Sequence, residues 1–243
     1  MEIKVENISK KFNKTSAVKN INFLVKKNKT LGILGPNGCG KTTTIGMMLG
    51  LITPTSGKIF IENKDIDKAD RNEILNKMNF ASPYIELPKK LTVRQNLEVY
   101  GRLYGIDNLN SRIVEISDEL NLNDFLNKKT GELSSGQKNR ISLAKSLINK
   151  PKILFLDEPT ASLDPDIGDF VRNYIESYKS KNEITIILAS HNMREVERLC
   201  DSVIMMKEGQ IVDSGTCDDI IQRHGRDNLE ETFLKIARSK NEV

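Results

Sequence analysis

Residues 2–8 and 18–25 alternate apolar and polar positions. That period of two is the pattern of half-buried strands and predicts an antiparallel pair. Leu31-Gly32-Ile33-Leu34 is a short apolar strand that runs into a glycine-rich turn. Beyond the turn, Ile45, Met48, Leu49 and Ile52 recur at helical spacing, so a helix over 41–50 is expected. Thr53-Pro54-Thr55-Ser56-Gly57 breaks it, and a strand is predicted over 58–62. From about residue 91 to 130 the period is helical again, through Leu91, Leu97, Tyr100, Leu103, Ile113, Ile116 and Leu120. This stretch lies between strand-rich parts and reads as a helical insertion. Residues 153–156 and 184–189 are unbroken apolar runs of strand length, the mark of parallel strands buried on both faces. Residues 203–206 and 211–213, joined through Glu208-Gly209, predict a hairpin. Residues 228–238 predict a closing amphipathic helix with Leu229, Phe233 and Ile236 inward. The fold class that follows is α/β.

Composition narrows the class. The chain has 243 residues, with 37 Lys plus Arg against 33 Asp plus Glu, a formal charge of +4. That length suits one large domain, or one domain with a small insertion. No run approaches the roughly 18 apolar residues of a membrane span. Met1-Glu2-Ile3-Lys4 alternates like a strand and opens no apolar signal segment. The pairs Lys10-Lys11, Lys26-Lys27, Lys89-Lys90 and Lys128-Lys129 sit beside polar or acidic residues. They read as solvated surface rather than a nucleic-acid stripe. Cys39, Cys200 and Cys217 make an odd count without metal spacing, so reduced thiols in a cytosolic protein are expected. A membrane protein acting alone and a small disulfide scaffold are both excluded.

Three segments carry chemistry. Gly35-Pro36-Asn37-Gly38-Cys39-Gly40-Lys41-Thr42 matches G-x-x-x-x-G-K-[ST]. Glycines let backbone N–H groups turn inward around phosphate oxygens, and a helix starting at that point aims its positive end at the anion. Lys41 would reach the outer phosphates and Thr42 would offer a hydroxyl to Mg²⁺. A glycine-rich turn matching by chance would lack the strand before it and the helix after it. Second, the run 153–156 ends in Asp157-Glu158. Asp157 fits the Mg²⁺-organising acid of a nucleotide hydrolase, and Glu158 would polarise the attacking water. Third, Ser134 with Gln137 three residues on is a capping box before Ile141, Ala144 and Ile148. An ordinary cap leaves the small Ser135-Gly136 unexplained. A second anion site there suits a nucleotide held by another copy of the chain.

Together and in this order, the motifs resemble the ATP-binding cassette family over nearly the whole chain. Residues 35–42 are similar to its Walker A, 133–137 to its signature sequence, 153–158 to its Walker B, and Ala161-Ser162-Leu163-Asp164 to its D-loop. Ser190-His191 is similar to the switch histidine, and Phe12 to an aromatic that stacks on adenine. The resemblance implies a P-loop NTPase (RecA-like) core with an antiparallel β subdomain and an inserted helical subdomain. Its boundaries would be 1–90 with 141–225 for the core, 91–140 for the helices and 226–243 for a tail. It implies catalysis by Glu158 and His191, and Mg²⁺ held by Thr42 and Asp157. Contacts to ATP would come from Phe12, Gly35, Pro36, Asn37, Gly38, Cys39, Gly40, Lys41, Thr42, Thr43, Ser134, Gly136, Gln137 and Asp164. Two cassettes, two copies or a copy with a sister cassette, would pair head to tail around ATP. Asp164 would link the two sites, and the chain would be cytoplasmic, held on the inner face of the membrane by an integral membrane permease, with the helical insertion passing on the motion. Nucleic acid is not expected as a partner.

Two features depart from that family. The signature has Ser135 at the usual first glycine. Near Phe80-Ala81-Ser82-Pro83-Tyr84, where the family has a glutamine touching Mg²⁺ and water, the alignment puts Pro83 or Ser82. The tail 225–234 is similar to those of multidrug, antibiotic and polysaccharide-type exporters. Export by a permease-bound ATPase is therefore expected. An importer subunit and a soluble cassette ATPase remain open as alternatives, and the retained Glu158 argues against a non-hydrolysing regulator.

Overall fold

The computed structural model describes residues 2–68, 70–82, 86–161 and 163–238, apart from the side chains of Arg71 and Arg238. In chain order the elements begin with β1 (Ile3–Phe12), β2 (Thr15–Val25), β3 (Thr30–Leu34), α1 (Lys41–Met48), β4 (Ser56–Ile61), β5 (Lys64–Asp65) and α2 (Arg71–Leu75). They continue with β6 (Met78–Ala81), α3 (Val93–Leu103), α4 (Leu109–Glu119), α5 (Ser135–Leu147), β7 (Ile153–Asp157) and α6 (Pro165–Lys181). The last are β8 (Thr185–Ala189), α7 (Met193–Leu199), β9 (Ser202–Lys207), β10 (Gln210–Gly215), α8 (Cys217–His224) and α9 (Leu229–Arg238). The chain divides into two compact units, Met1–Ile74 with Thr185–Val243, and Leu75–Ile184.

In the first unit an antiparallel sheet runs β2-β1-β4-β5, and a second set of strands runs β10-β9-β3-β8. The expected β1–β2 pairing is present, but its alternation is not continuous. Ile3 and Val5 are buried, and then the parity flips to Ile8. A register shift lies between Val5 and Ile8, and Asn7 has φ 50°. A bulge is what such a flip requires, and asparagine tolerates positive φ better than most residues. The Asn7 N–H is taken by Asn22 Oδ1 at 2.8 Å. In β3 and β8, parallel neighbours, every residue is buried. The β9–β10 hairpin turns through Glu208 (φ 48°) and Gly209 (φ 82°), both with the positive φ of a type I′ turn. In α9, Leu229 is fully buried, and Phe233 and Ile236 pack on a cluster of Leu34, Met193, Val196, Val203, Met205 and Ile220. This is the inward face expected of the closing helix.

The second unit holds the helical stretch and the parallel pair β6–β7, with Met78 opposite Ile153 and Ala81 opposite Leu156. All of β7 is buried. Capping boxes start α3 (Thr92 with Gln95) and α5 (Ser134 with Gln137); each N-cap is worth about 1 kcal/mol. The C-terminus of α5 is closed by Arg112 of α4, whose buried guanidinium donates to Leu147 O at 2.5 Å and Ile148 O at 3.1 Å. A cation at that end meets the orphan carbonyls and the negative end of the helix dipole. Strand β6 was not foreseen, since four residues with a polar Asn79 among them show no apolar run. Asn79 is buried because its amide is used, donating to Asn149 Oδ1 at 2.9 Å and accepting from Phe80 N at 2.8 Å. The apolar pattern likewise predicts neither β5 nor α2, α6, α7 and α8.

Lys145, on α5, donates to Phe80 O at 2.9 Å and lies 5.4 Å from the centre of the Tyr100 ring. Burial nevertheless lowers its pKa to about 8, from an ordinary 10.5. Below about pH 8 both folded and unfolded chains keep this proton, and the buried charge costs about 3 kcal/mol. Between the two values the unfolded chain holds a proton that the folded protein sheds, so this group raises stability as pH rises. Lys145→Met keeps the apolar stem and drops the charge. Urea denaturation is expected to find the variant more stable by about 2–3 kcal/mol near neutral pH, the gap closing towards about pH 10. Comparison at each pH separates Lys145 from Tyr174 and Tyr178, whose phenols burial pushes up and which act the opposite way in alkali. A gap constant with pH would contradict the depressed lysine.

Candidate functional site

In the first unit, Ile33 is in register with Ala189, so β3 and β8 end side by side. The loop 35–40 and the pair Ser190-His191 therefore leave the sheet at one edge, where ligands of parallel sheets bind. Helix α1 begins at Lys41, as expected. Its N-cap is Gly40, with φ 108°, no side-chain cap bond and no acid in the first turn. Its first N–H groups are thus left for something else. A Cβ on Gly40 would lie 2.6 Å from Ala17 O, and one on Gly35 would lie 2.4 Å from both Cys39 Sγ and Met206 O. Backbone approaches that tight fix glycine at both places. Hydrogen bonds from Gly209 N to Cys39 O (3.0 Å) and from Lys19 N to Gly209 O (2.7 Å) tie the loop to the β9–β10 turn.

Lys41 is only 8% exposed, and its ammonium donates to Gly35 O at 2.7 Å and Pro36 O at 3.2 Å. Among the described residues, no ion pair is made by this buried cation. These two neutral carbonyls take two of its three protons and none of its charge, so the loop is electrostatically prepared for an anion. Burial pushes the Cys39 thiol up while the Lys41 ammonium pulls it down, and net the thiol stays protonated. Pro36, Asn37, Gly38 and Thr42 are exposed, and Thr43 is half-buried. Phe12 ends β1 and is 46% exposed, an aromatic face rather than core. Lys10 lies 5.0 Å from its ring centre while donating to Thr53 O at 2.7 Å.

His191 is exposed, in the turn before α7. That turn is anchored by a residue sequence reasoning missed. Glu195, fully buried, accepts from the Ser190 hydroxyl at 2.5 Å, and Ser190 Oγ in turn accepts from Asn192 N at 3.1 Å. Asn192 caps α7 through Glu195 N at 3.3 Å. A cavity of about 410 Å³ lies here, with His191, Arg194, Glu230 and Phe233 in its walls.

In the second unit, β7 delivers Asp157 and Glu158 beside the end of β6. Both acids are buried, and both have polar partners. Glu158 has φ 54°, in the left-handed region. A non-glycine residue held there costs about 1–3 kcal/mol and persists only where its surroundings over-determine it. Ser82 follows β6, is buried, and its carbonyl accepts from Ser142 Oγ at 3.4 Å; Pro83 lies outside the described residues. Ser134 Oγ accepts from Gln137 N at 3.3 Å and Gln137 Oε1 from Ser134 N at 3.0 Å, closing the expected box. At Gly136 a Cβ would lie 2.6 Å from Ile167 Cδ1, so the close approach expected there is made by α6 of the same chain. Asp164 is exposed and is the N-cap of α6, without a side-chain cap bond; Ser162 lies outside the described residues.

The model of the ABC transporter family matches residues 18–161. The linearmycin resistance ATP-binding protein LnrL of Bacillus subtilis (strain 168) is 36% identical over 98% of this chain and 79% of that protein. The lantibiotic transport ATP-binding protein SrtF of Streptococcus pyogenes is 34% identical over 95% of each. Among solved structures, the dimeric post-hydrolysis state of the ATP-binding cassette MJ0796 bound to ADP and Pi superimposes with a TM-score of 0.80. It is 26% identical, covering 88% of this chain and 98% of that one.

Lys41→Ala tests the anion assignment of the loop. The variant is expected to keep its fold and to lose about 10- to 100-fold in ATP affinity, the worth of a charge-assisted contact. Titration calorimetry with ATP measures it. Wild-type affinity in a folded variant would remove Lys41 from the phosphate site.

Proposed function

The chain belongs to the ABC transporter family as an ATP-binding, ATP-hydrolysing protein, and from that premise we propose that it powers export through a separate membrane subunit by ATP-dependent dimerisation. The observation that carries the reading is the buried Lys41 ammonium beside an uncapped helix start, an anion site built from backbone. Gly35, Pro36, Asn37, Gly38, Cys39, Gly40, Lys41, Thr42 and Thr43 bind the phosphates, and Phe12 stacks on adenine. Thr42 and Asp157 offer a hydroxyl and a carboxylate oxygen, hard donors in the small number Mg²⁺ takes from protein when phosphates and water complete its shell. When bound, Mg²⁺ neutralises charge developing on the phosphate oxygens. Glu158 orients the attacking water and His191 holds the γ-phosphate.

A second cassette, another copy or a sister protein, presents Ser134, Gly136 and Gln137 to that nucleotide, and Asp164 links the two sites. The helical part, 91–140, meets the permease, and 226–243 forms the tail. A separate membrane subunit is favoured by the relatives, which are named as ATP-binding proteins of linearmycin resistance and of lantibiotic transport; no described helix is long and apolar enough to cross a membrane. The protein then works in the cytoplasm, on the inner face of the membrane. Export is favoured by the relatives named for antibiotic resistance and lantibiotic transport.

Glu158→Gln separates binding from chemistry. It is expected to bind ATP, to dimerise at saturating ATP by size-exclusion chromatography, and to lose turnover by about 100-fold or more. An unchanged ATPase rate would overturn the base assignment, and a fully active chain that stays monomeric would overturn dimerisation.

A further inference from the structure

Glu158 has a backbone problem that its own strand cannot solve. It occupies the left-handed region at φ 54°, and it precedes Pro159, whose ring pushes the preceding residue towards extended conformations. The conformation is therefore disfavoured twice. Pro159 has no N–H, so no backbone donor on that residue can pin the bend. One local bond helps, from Ala161 N to Glu158 O at 3.0 Å.

The next carbonyl along is held from elsewhere. Asn139, 7% exposed on the second turn of α5, donates its amide to Pro159 O at 2.6 Å. One turn further on the same helix, Ser142 reaches Ser82 O. Between these contacts lies a cavity of about 10 Å³ walled by Ser82, Asn139, Ser142 and Pro159. That is about the volume of one water-sized probe, so the clamp has little slack. The helix that carries Asn139 is fixed at both ends, by the Ser134–Gln137 box and by Arg112.

We propose that Asn139 is a positioning residue for hydrolysis: its amide, held by α5, locks the Glu158-Pro159 bend and so aims the Glu158 carboxylate at the attacking water. In this role Asn139 acts only through the bend. This rests on the assignment of Glu158 as the water-orienting base. A donor is needed, because a carboxylate in its place would face the carbonyl with like polarity and leave it unpaired.

Asn139→Asp removes the donor with no change of size, and Asn139→Ala removes it together with some packing. In the full chain with saturating Mg²⁺ and ATP, both are expected to lower kcat about 10- to 100-fold, as misplacement of a reacting group by an ångström does. KM and ATP affinity should stay within about twofold, the signature of a loss felt only in the transition state. Introduced into Glu158→Gln, neither substitution should lower the residual single-turnover rate further, because both act on one group. Thermal melts accompany each variant, and if the alanine form does not fold, the isosteric aspartate form carries the measurement. Wild-type turnover in Asn139→Asp, alongside a dead Glu158→Gln, would overturn the positioning alone. Equal losses in the wild-type and Glu158→Gln backgrounds would also overturn it, as would a rise in KM tracking the melting temperature. Full turnover by Glu158→Gln would instead overturn the base assignment beneath it.

Discussion

A parallel strand buried on both faces has no room for a charged side chain until it ends. In β3 and β8 of one unit and β7 of the other, every residue is buried. Each fully buried Leu, Ile or Phe there is worth about 1.5–3 kcal/mol, and a charge in mid-strand would forfeit that and add a desolvation cost. Chemistry is therefore pushed to the carboxyl ends. The phosphate loop follows β3, Ser190-His191 follow β8, Asp157-Glu158 close β7, and Ser82 follows β6. Parallel register then puts ends together: Ile33 with Ala189 in the first unit, Ala81 with Leu156 in the second. The apolar runs thus do more than fill a core, since their lengths decide where the reactive residues emerge.

The same logic explains what could be read in advance. Unbroken apolar runs, the glycine-rich turn, the Glu208-Gly209 hairpin and the Ser134–Gln137 box are local signals, and each appears where expected. What escaped depends on partners remote in sequence. Asn79 is acceptable in a buried strand only because Asn149, 70 residues on, accepts its amide proton. The bulge at Asn7 breaks an alternation that looked continuous, because Asn22 on the neighbouring strand takes the freed N–H. Helix α7 is only seven residues long, too short for a clear period. The small Ser135-Gly136 pair signals a close approach, but only the fold shows that Ile167 is what approaches Gly136. Glu195, likewise, is an ordinary acid in a helix until Ser190 is found bonded to it in the core.

The two helix starts assigned to phosphate binding are built differently. At α1, glycine caps the helix, no side chain takes its first N–H groups, and a buried cation lies beside them. The donors and the charge are in place before any ligand arrives, so little reorganisation opposes binding, the condition under which fixed dipoles act most strongly. At α5 the Ser134–Gln137 box already takes the N–H of Gln137, no acid stands in the first turn, and the cation that follows, Lys138, is exposed. An anion there finds the N–H groups of Ser135 and Gly136 and, for charge, a solvated lysine rather than a buried one. On the proposed reading, this asymmetry sets an order: the nucleotide fills its own chain's loop first, and a second chain's α5 then adds a weaker contact. On that same reading a weak second contact suits a reversible sandwich, because an interface proposed to open after hydrolysis would be locked by charge as strong as that at the loop.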